Sequence, residues 1–265
     1  MAVLFLVGPL CAMLVTLVPA SDGSPAAGAT LSVAPTKALL ATFAAMAIAA
    51  VVGVVGGRLF SSRTGYFAAG LALAWTPWAI GRMDDLVRVP STRAVLPALA
   101  VEGAIMGALG IAVGMVIWLG TRPGKKAADG GADQTWSVVG PLVAIGVGGV
   151  AAWAVSRSSD AGQALGAATL AALFGTLVGR VIDARSPDRV FLISMWVLAI
   201  ASPLIAMAGS HASTIERVYS GNLFPPALIM PLDWVAGALL GIPMGSAWAS
   251  SMLEKRAHEA GSHGG

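Results

Sequence analysis

Two carboxylates stand inside long apolar runs, where an ionised side chain is costly and usually has work to do: Glu102 and Asp233. A charge near the middle of a membrane helix costs roughly 2.5–3.5 kcal/mol, so such residues mark ion paths, proton relays or paired structural sites. Glu102 lies about one and a half turns into its run, and Asp233 lies just inside its own. When the two halves of the chain are aligned, the acids fall on similar faces of equivalent helices, about one turn apart. The chemistry they offer is a proton or cation site opening towards a central or external vestibule. The competing reading places both acids near the interface, satisfied by water or arginine.

A second set of charges lies between runs. Asp84, Asp85 and Arg88 follow the third run, and Glu216 and Arg217 follow the seventh. Arg88 and Arg217 occupy matching positions, and an arginine held against carboxylates gates an entrance, binds an anion or ties a loop to a bundle. Candidate transport or gating residues are therefore Glu102, Asp233, Arg88 and Arg217. Arg58 with Arg180, and Arg63 with Arg185, also match, and their expected role is topology and contact with lipid phosphate.

Other chemistries lack their residues. His211, His258 and His263 all lie in loops or the tail, so a bis-histidine haem is not expected. No lysine sits mid-run for a Schiff base, and there is no HExxH and no phosphate loop. Gly245-Ser246 resembles the small-Ser pairs of intramembrane proteases but has no histidine in a partner run. The single cysteine, Cys11, has no disulfide partner in the chain and reads as a packing residue. No enzyme activity, metal or cofactor is expected.

The elements that must position these residues follow from composition. The chain is 57% hydrophobic and 11% charged, with mean hydropathy +0.81. Soluble domains carry roughly 25% charged residues, so lipid is the solvent this surface requires. The formal charge of +3 and pI near 9.4 do not imply nucleic acid, because the basic residues cluster at the ends of apolar runs. The apolar runs fall near Ala2–Pro19, Ala38–Gly57, Tyr66–Ile80, Leu96–Gly120, Ser137–Val155, Ala164–Gly179, Val190–Ala208 and Met230–Met252. The third is short and is expected to extend to Met83. Val18-Pro19-Ala20 resembles a signal cleavage site, but no Lys or Arg precedes Lys37, and retention of the first helix is expected.

The second four runs repeat the first four. VGPL at Val7–Leu10 returns at Val139–Leu142, and Ala49–Arg58 returns as Ala171–Arg180. Thr76-Pro77 answers Ser202-Pro203, and Leu86-x-Arg88-Val89-x-Ser91 answers Ile215-x-Arg217-Val218-x-Ser220. Pro97, Gly103 and Gly107 answer Pro231, Gly237 and Gly241. Matched GxxxG pairs (Gly53/Gly57 with Gly175/Gly179, Gly103/Gly107 with Gly237/Gly241) read as close helix contacts. Each matched proline is expected to kink its helix, with the preceding hydroxyl taking a freed carbonyl.

The expected fold is an all-α integral membrane protein. It has about eight transmembrane helices in two parallel four-helix repeats, related by a pseudo-twofold axis along the membrane normal. Residues 1–120 form the first repeat, 121–135 a cytoplasmic linker, 136–253 the second repeat and 254–265 a frayed polar tail. Ser21–Thr36 reads as a mobile external loop. Lys and Arg fall ten on the side of the termini and six on the other, which places the chain in the plasma (inner) membrane with both termini cytoplasmic. The expected function is a small permease or channel-like transporter coupled to a proton or cation. The alternative is a non-catalytic integral subunit or scaffold of a larger membrane complex. Partners are the lipid bilayer and, in the second case, other membrane subunits or the chain itself.

Overall fold

The computed structural model describes residues 2–16, 19–20, 23–26, 28–85, 95–122, 137–208 and 213–262. Among them the chain is helical, and its one β feature is an isolated bridge between Pro19 and Pro25. A π-helical turn, Val3–Val7, leads into α1 (Gly8–Val15). There follow α2 (Pro35–Leu59), α3 (Ser62–Leu73), α4 (Val95–Gly120), α5 (Val139–Val155) and α6 (Ala161–Ile182). The series closes with α7 (Asp188–Ala208), the short α8 (Thr214–Tyr219) and α9 (Pro231–Ser262). Among the described residues four helices, α2, α4, α6 and α7, are long and apolar enough to cross a membrane, and Val3–Val15 and α5 are shorter apolar helices. The apolar helices point to a membrane protein.

Local chemistry sets several of these limits. Pro35 opens α2, where its missing N–H costs nothing. Ser61 caps α3 by accepting the Thr64 amide at 3.2 Å. The two matched prolines behave differently. At Pro77 the α-helix has already stopped at Leu73, and Thr76–Trp78 continues as a 3₁₀ turn. Thr76 Oγ1 donates to Leu73 O at 2.7 Å, the carbonyl that Pro77 cannot serve. The third run is thus a 12-residue helix of about 18 Å plus a turn, shorter than the span its composition predicts. In α7 the helix passes through Pro203, and Ser202 Oγ donates to Leu198 O at 2.6 Å.

Glycine and alanine faces bring the helices together. A Cβ on Gly103 would lie 2.7 Å from Ala199 O, the carbonyl that Pro203 leaves without its helical donor. Trp196 lies across Gly107, and its indole N–H donates to Ala104 O at 3.0 Å. These contacts join α4 to α7. Gly237, Gly241 and Gly245 of α9 meet Ala168, Thr169 and Leu173 of α6, while Gly175 and Gly179 of α6 meet Ala144 and Gly140 of α5. So the matched GxxxG pairs are all contact faces, but neither match keeps its neighbour. The helices α4 and α9 turn theirs to α7 and α6, and Gly53 and Gly57 of α2 meet Gly65 of α3 with Ile117 and Thr121 at the end of α4, where α6 meets α5.

The helix α9 forms the centre. It touches α3, α4, α6 and α7, and residues 231–243 are buried throughout. Trp234, Leu239 and Ile242 are among the most enclosed side chains, and they join one apolar core with Ala69, Leu73, Met106, Phe191 and Met195. The outer faces carry Leu40, Phe43, Val51, Leu142 and Val150, all exposed, as lipid-facing surfaces do.

Two segments depart from the expectations above. The stretch at residues 28–34 is anchored, with a 3₁₀ turn at Ala29–Leu31 against α4 and Ser32 Oγ donating to Pro19 O at 2.9 Å. The tail beyond Glu254 is not frayed at its start, because α9 continues to Ser262 with a Lys255–Glu259 pair at 3.9 Å one turn apart. Residues 123–136, most of the expected linker, lie outside the described residues.

Candidate functional site

Polar side chains gather at the two ends of the bundle. At the end bearing the N-terminus of α4, the helix places Glu102 inward, 4% exposed and the one charge in an otherwise apolar helix. Its partner is the anchored turn. Thr30 donates twice to Glu102 Oε2, from its amide at 3.0 Å and from Oγ1 at 2.8 Å. A Cβ at Gly28 would lie 2.5 Å from the same oxygen, so glycine is what lets the turn close over the carboxylate.

Asp233 occupies the first turn of α9 and is fully buried. Its Oδ2 accepts the Met230 amide at 3.1 Å, a reach back to the helix start that satisfies a free N-terminal donor. The same oxygen accepts from Arg82 Nη1 at 2.6 Å. Arg82 Nη2 donates to Pro77 O, and the Arg82 amide donates to Asp85 Oδ2 at 2.7 Å. Asp233 Oδ1 and Arg82 Nε are buried without hydrogen-bond partners. Arg82 therefore ties the 3₁₀ turn after α3 to the start of α9.

Arg217, in α8, is buried and donates to Ala206 O near the end of α7. A guanidinium there satisfies a terminal carbonyl and opposes the helix dipole. In this it resembles Arg82, which donates to Pro77 O. Arg88, the counterpart by sequence, lies outside the described residues, as does all of 86–94. Glu102 and Asp233 have separate bonding partners. Neither acid lines the cavity between α4, α7 and α9 or the three larger ones nearer the ends of the bundle. The cavity nearest the centre, between α4, α7 and α9, is apolar and about 10 Å³, room for about one water.

At the opposite end Asp188, in the first turn of α7, gathers three helices. Its Oδ1 accepts from Arg180 Nη1 and Ser246 Oγ, each at 2.6 Å, and its Oδ2 faces Arg63 Nε at 3.3 Å. Arg63 also reaches Ser250 Oγ at 3.2 Å. Nothing in the repeat alignment marks this residue. The available signal was an acid directly after Pro187, at the head of an apolar run and among Arg180, Arg185 and Arg189.

No family model, curated protein or solved structure matches this chain. What it can do must be read from its own groups. Among the described residues no three His, Cys, Asp or Glu side chains converge to hold a metal ion. The geometry offers buried carboxylates bonded within the protein at one end and a surplus of guanidinium groups at the other.

Proposed function

We propose that this chain is a non-catalytic integral subunit or scaffold of a larger membrane assembly, in the plasma membrane with both termini cytoplasmic. It is built as two parallel four-helix repeats, α1–α4 and α5–α9, with α8 as a connecting turn. Equivalent helix contacts support the repeat: α1 with α2 and α5 with α6, α2 with α4 and α6 with α9, α4 with α7 and α9 with α3. The observation that carries the functional reading is the filled apolar centre around Trp234, Leu239 and Met106. A solute path needs polar lining, and the buried acids at its end are engaged by Thr30, Arg82 and Met230.

The test is the mass of the native complex after gentle extraction from its own membranes. Co-purification with other proteins at a fixed ratio, far above 26.6 kDa, is the expected result. A lone monomer or small homo-oligomer would overturn the subunit reading.

One observation favours a second reading, a proton- or cation-coupled transporter: Asp233 Oδ1 is a buried acceptor with no partner. Under that reading Glu102→Gln and Asp233→Asn abolish flux in reconstituted vesicles, and unchanged flux rejects it.

A further inference from the structure

Five arginines, Arg58, Arg63, Arg122, Arg180 and Arg189, meet at the end of the bundle where α2 and α4 stop and α7 begins, and Trp118 lies among them. Arg122 and Arg189 both stack on the Trp118 ring, with guanidinium carbons 3.4 and 4.2 Å from its centroid. Arg58 Nε donates to Gly120 O at 2.8 Å, a neutral acceptor. Among the described residues Asp188 is the one carboxylate bonded into this group, and it is shared by Arg63 and Arg180. Arg180 Nε is buried with no partner. Two cavities adjoin at Trp118 and Ser62. One, about 250 Å³, is lined by Arg63, Arg180 and Arg189, and the other, about 670 Å³, by Arg58 and Arg122.

Like charges crowded around one ring repel unless an anion lies between them. Guanidinium forks match phosphate oxygens, and an indole face holds the arginine planes ready for them. We propose that this end of the bundle binds a phosphate-bearing anion, and that its source is the headgroup of an anionic phospholipid. The lipid source follows from placement. Arg58, Arg122, Arg180 and Arg189 stand at the ends of α2, α4, α6 and α7, the four helices long and apolar enough to cross a membrane, and Arg63 lies in the first turn of α3 beside them, where headgroups lie. Both cavities open at that level, so a phosphodiester can enter while its acyl chains stay along the exposed apolar flanks. The site is independent of whether the chain is a subunit or a transporter.

The test uses the full chain in nanodiscs of phosphatidylcholine with a minor share of phosphatidylglycerol, and native mass spectrometry counts the lipids retained. Phosphatidylglycerol is expected to be enriched on the wild-type chain. The double variant Arg122→Gln, Arg189→Gln lowers that enrichment roughly tenfold or more. A control that removes two charges elsewhere, Arg157→Gln with Arg185→Gln, retains it. Trp118→Leu, which releases both stacked arginines, is a second variant that keeps every charge and is expected to weaken enrichment as well. No enrichment, or equal loss in the control, would overturn the site. A parallel arm adds millimolar inorganic phosphate or glycerol phosphate. Displacement of the bound lipid by either soluble anion would overturn the headgroup assignment and leave a soluble phosphate as the ligand.

Discussion

At the residue scale, burial and bonding divide the ionisable groups into two kinds. Arg82 and Asp233 are a desolvated pair, with the Arg82 side chain 10% exposed and Asp233 wholly enclosed. Removing one partner strands a buried charge, which typically costs about 3–5 kcal/mol, whereas removing both costs less. Arg82→Gln should therefore lower the thermal unfolding midpoint sharply, and adding Asp233→Asn should restore part of it. A double-mutant cycle in detergent measures the coupling, and additive losses would show that the pair contributes nothing. Sequence made both acids visible because they interrupt apolar runs. It did not make Arg82 visible as the partner of Asp233. A guanidinium finds a helix end by reach, and among the described residues Arg82 is the arginine bonded to Pro77 O and Asp233, while Arg88, which the motif letters align with Arg217, lies outside them. Thr30 was hidden for a related reason. A Gly-, Ser- and Ala-rich stretch reads as loop, and only the fold brings residue 30 beside residue 102.

At the element scale, hydropathy found the helices well because a membrane helix is apolar on nearly every face. The limits of α2, α4, α5 and α7 fall within three residues of the runs that announced them. What hydropathy could not see was the rotation of each helix about its axis. Gly103 and Gly237 match in sequence, yet one faces α7 and the other α6. Nor could it see that a Thr-Pro step ends α3 while a Ser-Pro step lets α7 continue, since the same local chemistry serves either a stop or a bend. Glycines at contact faces and free glycines should part clearly under substitution. A Cβ at Gly241 would lie 2.2 Å from Thr169 O, and one at Gly146 meets nothing within 4 Å. Gly241→Val should destabilise the bundle by about 1–3 kcal/mol or more through overpacking. Gly146→Ala should be neutral or stabilise it by about 0.5–1 kcal/mol, because a helical glycine loses entropy on folding. Equal thermal midpoints for the two would contradict the α6–α9 contact described above.

At the scale of the whole molecule, the proposed topology has a direct readout. Cys11 is fully buried, so introduced cysteines can be read against a quiet background. An impermeant maleimide added to intact cells should label Asp160→Cys and Ser213→Cys. It should leave Arg185→Cys and His258→Cys unlabelled until the membrane is opened. A mixed pattern would defeat the parallel-repeat arrangement, since it depends on an even number of crossings in each half. The basic excess that set this orientation was legible from residue counts alone, whereas the clustering of those arginines around Trp118 needed the fold.

The contacts of α4 with α7 and of α3 with α9 carry a consequence for how the protein is made. Each half offers its third and fourth helices to the other half, so neither half contains its own complete set of neighbours. During synthesis the first four helices leave the ribosome with the surface around Gly103 and Gly107 uncovered. Arg82 waits without Asp233 until the chain has grown about 150 residues further. A nascent chain halted between the halves is thus an unfinished object, with a cation lacking its carboxylate and an apolar seam lacking its cover, the kind of surface that makes incomplete folds prone to aggregate. Completion of α9, threaded last into the middle, is the step that closes the molecule and ends that exposure.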